Sequence, residues 1–426
     1  MAVVFWKTWR PGKLARDTLV LSTWFGLRSL AQAALFFIVA RALGSQGYGA
    51  FSAVLALVGG WACFSGLGGH VILMRDVARN PHRFASSFGA TLVSLGVGTV
   101  PLFLLYLTSA WKILPQVSWL VVVFIGLGEL VFWPITNIAI CAYQGAERMG
   151  RAGQMMLAPV GTRLGGAVAL LALSLKSEGD GQLLSWWAGL YAAASGLAAG
   201  YAYYRLQCDL GRPLWPGEQR FLEHLRAGWP FSLWGSAYKL YVDADKFLLA
   251  GLLSLEVAGV YSAAYRLVDL ALIPLYSLLG AVAPRLFRAG AKGTSHALQS
   301  VFPLVVPALG YSMAVAVALT LAAPLLPHLL GRTYQETVEV VRWLAWLPLI
   351  SLPRFFLNHA LATSDAQTKG MVVLLVGALL NIGLNLWWIP KWGWQGAAAA
   401  TYGAEAIMAL LLFCMYLTNQ RRTVDE

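Results

Sequence analysis

Thr18-Leu-Val-Leu-Ser-Thr-Trp-Phe-Gly-Leu-Arg28-Ser-Leu-Ala-Gln-Ala-Ala-Leu-Phe-Phe-Ile-Val-Ala40 is the stretch on which the fold turns. It is apolar over about 23 residues, and about 20 suffice to cross the hydrocarbon core of a bilayer. Lys7, Arg10, Lys13 and Arg16 precede it, as they would a secretory signal. A cleavable signal, however, has a shorter apolar region and a small-residue cleavage site after it. The spacing therefore predicts a retained first transmembrane helix.

Eleven further runs of similar length follow, near 49–73, 84–108, 117–141, 155–175, 184–204, 230–252, 258–282, 301–323, 338–362, 370–390 and 395–417. They predict an all-α integral membrane protein of about twelve transmembrane helices. Composition agrees. Of 426 residues, 58% are hydrophobic and only 12% charged, and mean hydropathy is +0.65. Soluble domains carry roughly 25% charged residues to keep their surface wet. A chain with half that share must face lipid.

The net charge of +12 does not indicate nucleic acid, because the charges fall in the gaps between apolar runs and form no basic domain. Six of the 31 Lys and Arg lie inside the runs. With a cytoplasmic N-terminus, nineteen of the rest fall on the cytoplasmic side and six on the other. That bias fits the positive-inside rule and places both termini in the cytoplasm. The four cysteines make no CxxC pair and the six histidines have no metal-ligand spacing, so neither metal nor cofactor is expected.

The longest gap, residues 205–229, reads as a cytoplasmic loop dividing two six-helix lobes, 1–204 and 230–426. The halves resemble each other. A shift of 210 residues sets Gly49-Ala50-Phe51-Ser52-Ala53 on Gly259-Val260-Tyr261-Ser262-Ala263, and Arg75 on Arg285. Six is even, so both halves enter from one side and their repeat axis lies along the membrane normal. Two such lobes enclose a central cavity suited to alternating access.

No catalytic constellation accompanies this. Gly44-x-x-Gly47-x-Gly49 has no strand before it and reads as a helix stop and restart. Chemistry must then come from charges within the spans: Arg28, Arg163, Lys239, Lys246, Arg266 and Arg354, against Glu129, Asp243, Asp245, Asp269 and Glu405. Such charges are costly in a bilayer and face a cavity or a partner. Arg28 is the eleventh residue of its span, too deep to snorkel easily, and with Arg163 it is a candidate for a hydrated, anion-attracting cavity. Arg354 and His359 on the tenth span are further candidates. Lys239, Asp243, Asp245 and Lys246 on the seventh span, with Arg266 and Asp269 on the eighth, sum to zero. Interhelical pairing, with Asp245 against Arg266, and cavity lining are both open there.

Ala40-Arg41-Ala-Leu-Gly44-Ser-Gln-Gly47-Tyr48-Gly49, then Gly66-Leu-Gly68 and Arg75-Asp76, resembles the opening of the polysaccharide-transporter (O-antigen, or lipid-linked oligosaccharide, flippase) family. Asp245-Lys246 through Gly251, Gly259 through Arg266 and Pro284-Arg285 are similar to the start of that family's second half. Asn381 through Asn385 and Ile389-Pro390 through Gly396 look like its last helical hairpin. The family belongs to the multidrug/oligosaccharidyl-lipid/polysaccharide exporter superfamily. The resemblance implies a V-shaped protein with a cationic cavity in the bacterial inner membrane. It implies that undecaprenyl-pyrophosphate-linked oligosaccharide is moved from the cytoplasmic to the periplasmic leaflet, for O-antigen, lipopolysaccharide or exopolysaccharide synthesis. Membrane lipids and polysaccharide polymerase machinery are the expected partners. The candidate substrate contacts are Arg28, Arg163, Arg266, Arg354, Lys239 and Lys246; Asp243, Asp245, Asp269 and Glu129 are candidates for ion pairing or coupling. The near-neutral seventh and eighth spans depart from a uniformly cationic cavity.

Two other readings stand beside this one. A drug/cation antiporter would use the same scaffold, often with an acidic residue in the first lobe, where the first span here offers only Arg28. A membrane glycan polymerase or ligase would carry a long periplasmic loop. The largest non-cytoplasmic gap here, about residues 324–337, holds only His328, Arg332 and Glu336 as ionisable groups. No enzymatic activity is expected.

Overall fold

The computed structural model describes residues 13–174, 180–290, 294–362 and 367–425, and the regular structure there is all helical. Lys7, Arg10, Lys176 and Lys292 of the charge count lie outside these residues.

The first helix, Lys13–Ser65, has 53 residues, or ~80 Å at 1.5 Å per residue, well over twice a bilayer core. It breaks at Gly44, whose φ of 65° lies in the left-handed region that only glycine enters cheaply. The break divides it into α1 (13–43) and α2 (45–65), so the Gly44 motif does stop and restart a helix. The second span is shorter than expected. It ends at Ser65 rather than near residue 73, because Leu67 (φ 48°) and Gly68 (φ 70°) turn the chain into a separate helix, α3 (Gly69–Arg79).

Then follow α4 (Phe84–Ile113), α5 (Trp119–Gly145), α6 (Met149–Ser174), α7 (Asp180–Leu210), α8 (Glu218–Leu252), α9 (Leu255–Gly290) and α10 (Thr294–Ala322). Three short helices in series, Thr337–Leu344, Leu347–Ile350 and Leu352–Ala362, make α11. A last helix, Gln367–Asp425, breaks at Gly393 (φ 61°) into α12 (367–392) and α13 (394–425).

Eight stretches are long and apolar enough to cross a membrane; two of them, Val20–Ser65 and Gly370–Thr418, are double-length and carry the Gly44 and Gly393 breaks. Adding the less apolar α7 and α8 gives twelve crossings among the described residues, arranged as two six-helix lobes. The outer surface is apolar: Leu30, Phe302, Val306 and Leu321 are each at least 70% exposed. In water that would be unstable; against lipid it costs nothing.

Residues 210 apart in sequence meet across the lobe interface. The Ser52 hydroxyl donates to that of Ser262 at 2.9 Å. Beside them, Gly49 and Gly259 bring backbone against backbone: a Cβ on Gly49 would stand 1.7 Å from the Leu255 carbonyl oxygen, and one on Gly259 would stand 1.9 Å from that of Ser45. Small residues permit this approach.

The break between α7 and α8 is residues 211–217, and it is fastened to the first lobe. The Leu214 amide donates to the Ala85 carbonyl at 2.8 Å. Farther along α8, His224 meets Thr91 at 3.1 Å and the Ser236 hydroxyl donates to the Gly60 carbonyl at 2.8 Å.

Candidate functional site

A cavity of about 140 Å³ lies between the lobes, next to the Ser52–Ser262 contact. Its walls differ. The second lobe contributes Lys239, Asp243, Lys246, Ser262, Arg266 and Asp269, every one polar. The first lobe contributes mostly apolar and aromatic groups from α1, α2 and α7, with Gln32, Ser52 and Arg163 as exceptions.

The charges on α8 follow helical spacing. Lys239, Asp243 and Lys246 stand four and three residues apart, on one face. Asp243 takes both lysines, Lys239 at 2.8 Å and Lys246 at 2.5 Å. Lys246 also donates to the Val242 carbonyl at 2.9 Å and stands 4.4 Å from the centre of the Tyr265 ring. Lys239 remains the more open of the two, with its side chain 47% exposed against 10%.

Asp245 does not pair with Arg266, contrary to the sequence expectation. It points away from the cavity, is 2% exposed, accepts the Lys246 amide at 2.8 Å and lies 3.9 Å from the Lys246 ammonium. The reason is helical geometry: Asp243 and Asp245 are two residues apart and so project about 200° apart. Asp269 and Arg266 both line the cavity but are not within 4 Å ion-pairing distance.

Arg163 on α6 is tied into the first lobe. It donates to Glu129 at 2.9 Å and to the Ser195 hydroxyl at 3.0 Å, and its guanidinium lies 4.0 Å over the Tyr191 ring. Tyr191 donates to the same Glu129 oxygen at 2.5 Å. Glu129 sits in a π-helical turn of α5, Leu127–Phe132. Pro134 explains the irregularity. It has no N–H to offer the Leu130 carbonyl four residues back. The Ser65 hydroxyl, at 2.6 Å, and that of Thr99, at 3.4 Å, donate to that carbonyl instead. Such turns often accompany functional sites.

Arg28 lies on α1, one turn before Gln32. It feels the positive charges of Arg266 and Arg163, and no counter-ion among the described residues stands within 4 Å of it. Arg266 likewise has no ion-pair partner among them.

Arg354 is the candidate that the structure places elsewhere. It grips Glu405 with two nitrogens, at 2.5 and 2.9 Å, and Tyr241 donates to Glu405 at 2.5 Å. This group lies within the second lobe, where Arg354, Asn358 and His359 line a separate cavity of about 200 Å³. Glu405 sits on α13, 51 residues from Arg354, and no local sequence signal relates the two. Sequence singles out neither of the tyrosines that complete the two buried ion pairs, Tyr191 and Tyr241. Their only signal is a phenol placed inside an apolar run.

The fold and this cavity define a membrane transporter built of two six-helix lobes. Residues 14–290 match the family model of polysaccharide biosynthesis proteins, and the chain belongs to that family. Among curated proteins, none matches it. Among solved structures it is similar to the inward-facing form of a multidrug-resistance MATE transporter of the MOP superfamily. The TM-score is 0.71 at 15% identity, over 93% of this chain and 94% of the other. The outward-facing form of a MATE transporter aligns at a TM-score of 0.64 and 14% identity, over 96% and 95%. A MOP-superfamily transporter from Pyrococcus furiosus, described as having a binding pocket of reversed polarity, aligns at 0.65 and 14%, over 96% and 95%.

Proposed function

We propose that the protein is a flippase that carries undecaprenyl-pyrophosphate-linked oligosaccharide from the cytoplasmic to the periplasmic leaflet by alternating access. It would work in the bacterial inner membrane, with both termini cytoplasmic, and hand its cargo to polysaccharide polymerase machinery. One observation carries this reading: Arg163 and Arg266, from opposite lobes, line one cavity, Arg28 stands near enough to feel both charges, and neither Arg28 nor Arg266 has a carboxylate within 4 Å among the described residues. Like charges held together in a low-dielectric interior repel strongly. A bound anion removes that repulsion, and a pyrophosphate offers oxygens that planar guanidiniums grip in pairs. Because Arg266 belongs to the other lobe, the same anion would draw the lobes together.

Lys239 and Lys246 are secondary contacts in this reading, since Asp243 already partly neutralises them. Arg354 supports the second lobe rather than the cargo. The family to which the chain belongs favours a glycan over a drug as cargo.

The test is surface polysaccharide in a deletion strain, normalised to membrane protein level. Arg28→Ala abolishes the glycan at normal abundance, Arg28→Lys retains part of it, and Arg28→Glu retains none. Wild-type glycan from Arg28→Ala overturns the assignment. Drug export that Arg28→Ala leaves intact, with glycan unchanged, would support the antiporter instead.

A further inference from the structure

We infer that Gly49, Ser52, Gly259 and Ser262 form a two-fold latch that seals one end of the cavity and must part in each transport cycle. The contacts at this end come in pairs related by the 210-residue repeat. Ser52 meets Ser262, and Gly49 packs against Leu255 as Gly259 packs against Ser45. The next layer repeats the pattern. The Tyr334 hydroxyl of the second lobe donates to the Ala40 carbonyl at 2.9 Å. The Gln116 amide of the first lobe donates to the Ala250 carbonyl at 2.8 Å. Ala40 and Ala250 are themselves 210 apart. Arg41 and Ser45 complete the rim, bonding the Leu329 carbonyl at 2.9 Å and the Thr333 hydroxyl at 3.3 Å.

These bonds suit a contact that forms and breaks. The centre holds one neutral hydroxyl pair and two close backbone approaches and, among the described residues, no ion pair to be desolvated. Neutral hydrogen bonds and close backbone contacts are individually weak, so the latch is held by many small terms. The glycines decide whether it closes at all. A Cβ on Gly49 would also stand 2.8 Å from the Gly259 amide nitrogen, so both obstacles are backbone, which cannot rotate aside. Ser52 and Ser262 line the cavity directly, so separating them opens it to that end.

Accessibility tests this whatever the cargo. Gln32→Cys places a single thiol at a cavity-lining position, in protein whose four native cysteines are alanine. Impermeant maleimide is applied to growing cells, and Lys112→Cys, on the sealed end, reports which face that end occupies. Adding Gly49→Ala raises labelling at position 32 from that face several-fold, because the latch cannot close. Adding Ser52→Cys with Ser262→Cys and oxidising joins that pair, as peptide mapping verifies, and abolishes the labelling until the protein is reduced. Three results overturn the inference: a pair that fails to join, labelling that persists with the pair joined, or labelling that is absent throughout. Gly259→Ala repeats the first arm should Gly49→Ala not accumulate.

Discussion

At the scale of single residues, the buried charges divide into those that hold the protein together and those left for a ligand. Arg354 and Glu405 belong to the first kind. Their carboxylate carries a guanidinium and a phenol at once, and the Glu405 side chain is only 4% exposed. Removing one member of such a pair strands a charge in low dielectric, typically at a cost of about 3 to 5 kcal/mol, whereas removing both costs much less. Glu405→Gln is therefore expected to lower the thermal unfolding temperature in detergent sharply. Arg354→Gln combined with Glu405→Gln should recover most of that loss. A double variant less stable than both singles would show that the pair is not the structural unit. In the proposed function Arg28 and Arg266 are of the second kind, and their substitution should touch transport before stability.

Among the elements, α5 shows how one proline positions a distant charge. Pro134 leaves the Leu130 carbonyl without its helical donor, the helix widens into a π-turn, and Glu129 is held against Arg163 and Tyr191. The vacated carbonyl is satisfied by Ser65, the last residue of α2. Leaving a buried acceptor unpaired costs about 1 to 3 kcal/mol. Ser65→Ala should destabilise the protein by roughly that amount, measured by unfolding in detergent, and Thr99→Val by less, since its bond is longer at 3.4 Å. Equal stability of Ser65→Ala and the parent would mean that another donor, such as water, reaches Leu130. The α2 end thus couples the helix carrying the latch to the helix carrying Glu129.

For the whole molecule, the proposed orientation rests on the nineteen-to-six division of Lys and Arg between the two sides. In the proposed orientation the 211–217 break lies in the cytoplasm and the sealed end outside. Glu218→Cys, at the start of α8, is expected to resist impermeant maleimide in intact cells and to react in inside-out vesicles. Ready labelling in intact cells would invert the topology and with it the direction of transport. The latch and the fastening of α8 to α4 and α2 also bear on lobe motion. With Gly228 packed against Gly68, the first part of α8 is held to the first lobe, so the lobes are not free of one another at either end.

Sequence alone determined what depends on one-dimensional spacing. Apolar runs of about twenty residues read as membrane helices, because a helix satisfies its backbone hydrogen bonds within one segment and needs about that length to cross hydrocarbon. The 210-residue repeat set the two lobes, and Lys239 with Asp243 could be paired because four residues make one helical turn. The end of α2, the π-turn and the choice of partners were decided only in three dimensions. The sequence reading pairs Asp245 with Arg266 across two helices, yet Asp245 lies beside Lys246. Arg163 takes Glu129, 34 residues away, and Arg354 takes Glu405, 51 away. Ion pairing between helices depends on which faces meet and at what depth. Small residues that admit backbone contact, such as Gly49 and Gly259, fix that packing, and charge spacing along the chain does not record it.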